Sequence, residues 1–420
     1  MKNISLHWKI LIGMALGVLF GFIMSSVNGG GVFISNWIKP FGTIFINSLK
    51  LIAIPLILAS LIKGVSDLKD ISKLSSMGGI TITTYLMTTV IAVSVGLLLV
   101  NIVKPGESIS EKTRSELIQA YDSDAEMKRS AAAENKNSGP LQPLVDLVPS
   151  NFVAAASDNK NMLQVIFFSI LFGISMILIP AEKAKPIKDF FDSFNEVVLK
   201  IIDIIMMFAP YGVFGLLAAL IVEAPNADLL QSLLMYSLTL LLGLMMMIVI
   251  YLMIVKLLTG RNPISFLKAI LPAQLVAFST SSSAATLPVT MDRVQNHLNV
   301  EKEVSSFVLP IGATINMDGT AVYQAVAAVF IAQTFGLDLS FTAQLGIIST
   351  ATLASIGAAA VPSAGIIVLV IVLAQAGIPE AGLALIFAVD RPLDMCRTVV
   401  NITGDATVST IVSKFQKNQN

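Results

Sequence analysis

Ser279-Thr280-Ser281-Ser282-Ser283-Ala284-Ala285-Thr286-Leu287-Pro288 reads neither as a surface loop nor as a spanning helix. It is built of small and hydroxyl residues. It lies between two apolar segments of about 12–16 residues each, short of the roughly 20 that a helix needs to cross a bilayer. A second stretch, Ser355-Ile356-Gly357-Ala358-Ala359-Ala360-Val361-Pro362-Ser363-Ala364-Gly365, has the same makeup and the same setting. Such pairs read as re-entrant hairpins that dip into the membrane and turn back. Their irregular tips expose N–H and C=O groups, tolerated at membrane depth only where protein or a water-filled cavity satisfies them. Small residues let the backbone approach a ligand. A tight helix crossing lined with small residues is the other reading of either tip alone.

The order around the tips repeats. Asn316-Met317-Asp318-Gly319-Thr320 follows the first. Asp394-Met395-Cys396-Arg397-Thr398-Val399-Val400-Asn401-Ile402-Thr403-Gly404-Asp405 follows the second. Paired interrupted segments, each followed by a polar helix, point to a transporter binding site at the interface of two repeats.

The rest of the chain supplies the membrane. Of 420 residues, 55% are hydrophobic and 13% charged, against about 25% charged in a soluble domain, and the mean hydropathy is +0.80. Apolar runs cover Leu11 to Ile23, Leu51 to Ile62, Ile80 to Val103, Leu163 to Ile179, Leu233 to Leu258 and Ala325 to Phe335. Net charge is zero, which gives no reason to expect nucleic acid. Cys396 is the only cysteine, so no intrachain disulfide can form. Lys2 and Lys9 flank the first run, but no small-residue cleavage site follows, which argues against a signal peptide. Lys2 and Lys9, then Lys63, Lys69 and Lys73, then Lys183, Lys185 and Lys188, then Lys256, Arg261 and Lys268 fall in alternate connections. That bias puts the N-terminus in the cytoplasm. The polar 104–145 stretch, of mixed charge, reads as a solvated loop outside.

The polar segment after the second tip carries the chemistry. At 100° per residue, Asp394, Thr398, Asn401 and Asp405 fall within roughly 60° of one another, with Arg397 on the flank. An ionisable side chain inside a span costs at least about 2.5–3.5 kcal/mol and turns to the protein interior. Asp405 and Asp318 have no evident partner in sequence. Hard cations take oxygen from carboxylates, amides, hydroxyls and carbonyls, and Thr314, Asn316 and Asn401 stand beside them. The accompanying oxygens favour a metal cation; protonation of a buried Asp is the rival. With no His/Cys cluster, zinc or copper is not expected. Asp394 and Arg397 have two readings: an internal i,i+3 ion pair that neutralises both, or the two ends of a zwitterionic ligand. In the second, the aspartate meets an ammonium and the planar arginine fork grips a carboxylate.

On Ser281-Ser282-Ser283 with Thr286-Leu287-Pro288, Asn316-Met317-Asp318-Gly319-Thr320, and Asp394…Arg397-Thr398…Asn401…Gly404-Asp405, the chain resembles the glutamate transporter family, the dicarboxylate/amino acid:cation (sodium) symporters. The resemblance covers nearly the whole chain. It implies an all-α polytopic membrane protein with eight transmembrane helices and two re-entrant helical hairpins in inverted repeats, working as an elevator-type transporter. It implies a homotrimer in the plasma (inner) membrane. Residues 1–78 would hold scaffold helices 1 and 2, 79–106 helix 3 of the transport part, and 107–225 the extracellular loop with scaffold helices 4 and 5. The transport part would continue over 226–420: helix 6, hairpin 1 at about 262–293, helix 7 at about 300–332, hairpin 2 at about 340–377, and helix 8 at about 379–417. The second hairpin would be the outer gate.

Carried over residue by residue, the resemblance makes Arg397 the partner of the substrate's side-chain carboxylate and Asp394 the partner of its amino group. Asn401, Thr398 and the Ser283 backbone would hold the main-chain end. Ser282, Met317, Thr320, Val361 and Gly365 would complete the pocket. One sodium would lie among Asp405, Asn401 and the carbonyls of Gly312 and Asn316. A second would use Asp318, Asn316, Tyr85, Thr88 and Thr89. A third would use backbone oxygens near Thr314, Ser355, Ile356 and Ala358. Sodium is then co-transported, and no organic cofactor is expected.

The chain departs from the family pattern in places. Archaeal members carry an Arg where Ser281 stands, and animal members carry one where Met395 stands. Gln324 replaces the Glu of proton- and potassium-coupled animal members, which argues for sodium alone. Ala360 and Ser363 stand where the second tip often has glycine, and Cys396 replaces a small residue. Members that carry plain dicarboxylates lack the Asp394 carboxylate, and neutral amino acid carriers lack the Arg397 guanidinium, so both are weaker readings. His7 and His297 are the only histidines and no nucleophile motif is present, which argues against a membrane enzyme. A passive channel would be excluded by concentrative uptake. Aspartate and glutamate differ by one methylene, worth about 1–3 kcal/mol in a fitted pocket, so the residues do not choose between them.

Overall fold

The computed structural model describes residues 6–66, 75–111, 113–115, 148–157, 161–223, 227–356 and 364–419. Among them the chain is all-helical, without a strand. The main helices are α1 (Leu6–Ser25), α2 (Lys39–Ser66), α3 (Ser75–Val103), α4 (Met162–Leu178), α5 (Ala181–Met207), α6 (Ala209–Glu223) and α7 (Ala227–Ile254). They continue with α8 (Pro263–Thr280), α9 (Ser283–Asn296), α10 (Lys302–Ile315), α11 (Asp318–Thr334), α12 (Phe341–Ile356), α13 (Ala364–Gln375) and α14 (Leu383–Gln419).

Among the described residues six helical stretches are long and apolar enough to span a bilayer, or seven when α5 and α6, bent by 50° at their junction, count as one. That count differs from eight for physical reasons. α4 is only 17 residues long. α14 is 37 residues long, but its polar stripe dilutes its hydropathy. Conversely, α8 qualifies although the resemblance makes it one arm of a hairpin. The spans and the match reported below make this an integral, multi-pass membrane protein. The stretch expected to hold helices 4 and 5 contains three helices, α4 to α6.

Small residues decide where helices touch most closely. Without a hydrophobic drive between helices in lipid, association depends on close packing. Gly13, Gly17 and Gly21 repeat every fourth residue along one face of α1. A Cβ on them would press on Pro210, Phe214 and Ile221 of α6.

α10 and α11 form the centre. The stretch Lys302–Thr334 is wholly buried over its apolar window, against 24% for Trp8–Ser25. α11 packs against α3, α7, α12, α13 and α14, so Ala321, Val322, Ala325 and Ala328 on it are closed off from lipid and water. α8 and α9 make a helix–turn–helix against α14, and α12 packs on α13. In the α8–α9 turn Ser281 takes a left-handed backbone, φ 51°, a conformation that costs a non-glycine residue of order 1–3 kcal/mol. The helix α14, which carries the polar face of Asp394–Asp405, therefore packs against the broken α10–α11 helix and against α8 and α9.

Candidate functional site

The break between α10 and α11 is the first element of the site. Asn316 and Met317 leave helical geometry, with φ,ψ of −101°, 92° at Asn316 and −118°, 57° at Met317. Breaking a helix leaves carbonyls unpaired at the C-terminal end of one half and N–H groups at the N-terminal start of the next, with partial charges to match. Side chains of α14 tie down the break, one of them accepting from a freed N–H. The Gly319 N–H donates to Asn401 Oδ1 at 2.8 Å, and Asn316 Nδ2 donates to Asp405 Oδ1 at 3.0 Å. Both acceptors lie on α14, so the polar stripe is bound to the break.

Helices α3 and α7 close the other side. Thr89 Oγ1 donates to Asp318 Oδ1 at 2.7 Å, and the Tyr251 hydroxyl donates to Asp318 Oδ2. Thr88 Oγ1 donates to Asn316 Oδ1 at 3.4 Å and to the Tyr85 carbonyl at 3.0 Å. The Tyr85 hydroxyl donates to the Val308 carbonyl at 3.0 Å. Gly312 is needed here for space, since a Cβ would run into the Tyr85 hydroxyl and the Asp405 carboxylate. The residues expected in two separate sodium sites thus form one connected cluster, with Asn316 bonded into both halves. Asp318 and Asp405 are buried, and among the described residues neither has an ion-pair partner. Among the described residues no group of three or more His, Cys, Asp or Glu could hold a metal. The oxygens are hard and mostly neutral.

The third expected cation site is not assembled to the same degree. Thr314 Oγ1 donates to the Ile311 carbonyl at 2.9 Å and Ser355 Oγ to the Thr352 carbonyl at 2.8 Å. Each hydroxyl therefore serves its own helix. Ile356 ends α12, and Ala358 lies outside the described residues, as does Val361 of the expected pocket.

The remaining pocket residues gather around Arg397. Its guanidinium is 1% exposed and Nη2 donates to Asp390 Oδ1 and to Asp394 Oδ1, both at 2.8 Å. Its carbon lies 3.8 Å from the ring centroid of Tyr323 on α11, a cation–π contact. The internal pair between Asp394 and Arg397 is therefore present, widened by a second carboxylate. Among the described residues Nε and Nη1 of Arg397 have no hydrogen-bond partner. Gly365 at the start of α13 faces Nη1 and the Thr320 methyl; a Cβ there would lie 3.2 Å from each. Thr398 Oγ1 donates to the Asp394 carbonyl at 2.9 Å. Met317 and Thr320 are buried beside them at the start of α11.

Ser282 caps α9, its side chain accepting from the Ala285 N–H at 3.2 Å, and Ser283 opens that helix. α8 is tied to α14 by Gln274 Nε2, which donates to Thr403 Oγ1 at 2.9 Å.

Three contributors escaped the sequence reading. Asp390 lies one turn before Asp394, on the same face at 100° per residue, and extending the stripe backward would have found it. Tyr251 is a polar residue in the apolar run of α7, where an ordinary interfacial or packed tyrosine is the plain interpretation. Tyr323 gives no signal beyond its aromatic ring.

A family profile described as "Sodium:dicarboxylate symporter family" matches residues 6–415. The chain is 35% identical to the "Proton/sodium-glutamate symport protein" of Bacillus caldotenax over 424 residues, covering 100% of this chain and 96% of the relative. It is 32% identical to the "Proton/glutamate-aspartate symporter" of Escherichia coli (strain K12), covering 99% and 94%. It is 37% identical to "Excitatory amino acid transporter 3" of Mus musculus, covering 98% and 86%.

Proposed function

Since the chain belongs to the sodium:dicarboxylate symporter family, a family of transporters and not of enzymes, we propose that it is a secondary symporter that takes up an acidic amino acid, L-aspartate or L-glutamate, coupled to inward movement of sodium. The observation that carries this reading is the pairing of two unlike sites on one helix. Among the described residues Asp318 and Asp405 have no cation partner, while two nitrogens of Arg397, Nε and Nη1, have no hydrogen-bond partner. Charges of opposite sign bound in adjacent low-dielectric sites favour one another, and such coupling is reciprocal. Substrate and cation therefore load together.

In this reading the substrate's side-chain carboxylate meets Arg397 and its ammonium meets Asp394. Its main-chain end rests on Asn401, Thr398 and the N–H groups at the start of α9, with Ser282, Met317, Thr320, Val361 and Gly365 around it. Sodium is taken by Tyr85, Thr88, Thr89, Asn316 and Asp318, by Gly312, Asn316, Asn401 and Asp405, and by Thr314, Ser355, Ile356 and Ala358. The α8–α9 and α12–α13 pairs act as the two re-entrant hairpins. Residues 1–78 and helices 4 and 5 within 107–225 form the scaffold of a homotrimer. Residues 79–106 and 226–420 move as the transport part, in a plasma membrane with the N-terminus in the cytoplasm.

The two bacterial relatives, one named a proton/sodium symport protein and the other a proton symporter, favour one second reading, with protons as the driving ion. Gln324 opposes it: at this buried position an amide stands, and an amide does not carry a proton across the physiological range. Uptake of labelled L-aspartate into proteoliposomes separates the two. Accumulation with an inward sodium gradient and none with a proton gradient alone is the expected result; accumulation with protons alone would replace the ion assignment.

A further inference from the structure

Asp390 is 3% exposed, carries a charge in the middle of a membrane protein, and has no part in the function proposed above. We infer that it is a positioning residue: the permanent counter-ion that holds the Arg397 fork while the substrate carboxylate takes the place now occupied by Asp394. The inference rests on the reading of the pocket as an acidic amino acid site.

A guanidinium presents two forks to a carboxylate, Nε with Nη2 along its side and Nη1 with Nη2 at its end, and the two forks share Nη2. Both aspartates sit on that shared nitrogen, while among the described residues Nε and Nη1 have no hydrogen-bond partner. Each fork is half used. An incoming carboxylate completes a fork only when one aspartate leaves Nη2.

The surroundings decide which one leaves. Asp394 has a second cation, Arg391, whose Nη1 lies 3.3 Å from its Oδ2, and a substrate ammonium would supply a third. Among the described residues Asp390 has no ion pair except with Arg397. Moving Asp390 away would strand a buried carboxylate, the arrangement that low dielectric penalises most. Tyr323 covers one face of the guanidinium, so the group cannot tilt toward a ligand and must be set in its plane. Asp390 does that from the far end of the same helical face. Two aspartates and two arginines, Asp390, Arg391, Asp394 and Arg397, leave this cluster neutral before substrate arrives.

The test uses the full chain in proteoliposomes under a fixed sodium gradient. Asp390→Asn keeps the size and an oxygen acceptor and removes the charge. It is expected to raise the KM for L-aspartate at least about tenfold, equivalent to 1.4 kcal/mol, with the maximal rate within about twofold of wild type. Asp390→Glu is expected to bring KM back to within about threefold of wild type. The rise in melting temperature that sodium alone produces reports the Asp318–Asp405 cluster and stays as in wild type. An unchanged KM in Asp390→Asn overturns the inference. So does a loss that Glu does not rescue, or one accompanied by a lost sodium response, because either makes Asp390 a general structural residue. A wild-type protein that takes up no L-aspartate overturns the functional reading instead, a distinct result.

Discussion

Around Asp318 and Asp405 every hydrogen bond comes from a neutral group, whereas the hydrogen bonds of Arg397 are ion pairs within one helix. The first region draws Thr88 and Thr89 from α3, Tyr251 from α7, Asn316 from the α10–α11 break and Asp405 from α14. Two carboxylates are gathered there with no counter-charge among the described residues. The second region balances Asp390 and Asp394 against Arg391 and Arg397. The difference teaches how each site admits its ligand. An excess of negative charge in a low-dielectric setting attracts a cation directly, and the hydroxyls that now donate to Asp318 need only turn to present their lone pairs. A neutral cluster has no such pull. On the function proposed above it would open by exchange, in which the substrate's own ammonium and carboxylate replace an internal pair.

The comparison is broken most severely at Arg397. Arg397→Ala leaves Asp390 and Asp394 buried together without their shared cation, and removing one member of a buried pair costs about 3–5 kcal/mol. The expected outcome is a fall of about 1,000-fold in L-aspartate uptake efficiency, kcat/KM, in proteoliposomes, with the sodium-induced melting shift retained. Uptake equal to wild type would remove Arg397 from the pocket.

Asp405→Asn breaks the other region. It deletes one of two uncompensated charges, and a unit charge about 4 Å away at an effective dielectric of 20 is worth about 4 kcal/mol before hydration is subtracted. The sodium concentration for half-maximal uptake is expected to rise about 100-fold. Unchanged sodium activation would take Asp405 out of the cation site.

Tyr251→Phe sharpens the contrast with the smallest change. It removes one hydroxyl from Asp318 and leaves the ring in place. A hydrogen bond to a charged group is worth about 1.5–3 kcal/mol. With a cation as compensating partner, a shift of about tenfold in half-maximal sodium is expected, with KM for L-aspartate at saturating sodium nearly unchanged. A change in KM alone would mean that the two regions are not separable.

The stripe Asp394, Arg397, Thr398, Asn401 and Asp405 was legible because a helix repeats every 3.6 residues and a membrane penalises stray polarity, so polar residues in register announce a buried site. The two small-residue tips were legible for a related reason, being too short and too polar to span. Sequence could name Asp318 and Asp405 as unpaired, since no local partner lies within a turn of either. It could not name Tyr251, 67 residues before Asp318, nor the particular bonds of Asn316 to Thr88 and Asp405. Those are contacts between helices remote in the chain, and one tyrosine on an apolar helix looks like any other. The choice between an internal Asp394–Arg397 pair and a ligand site was also beyond it, because both need the same residues at the same spacing. Composition and periodicity thus determined that this chain lives in a membrane and which helix face is polar. Only the packing of α3, α7, α10, α11 and α14 decided which polar groups meet, because burial and hydrogen-bond geometry depend on distances between helices that no local pattern encodes.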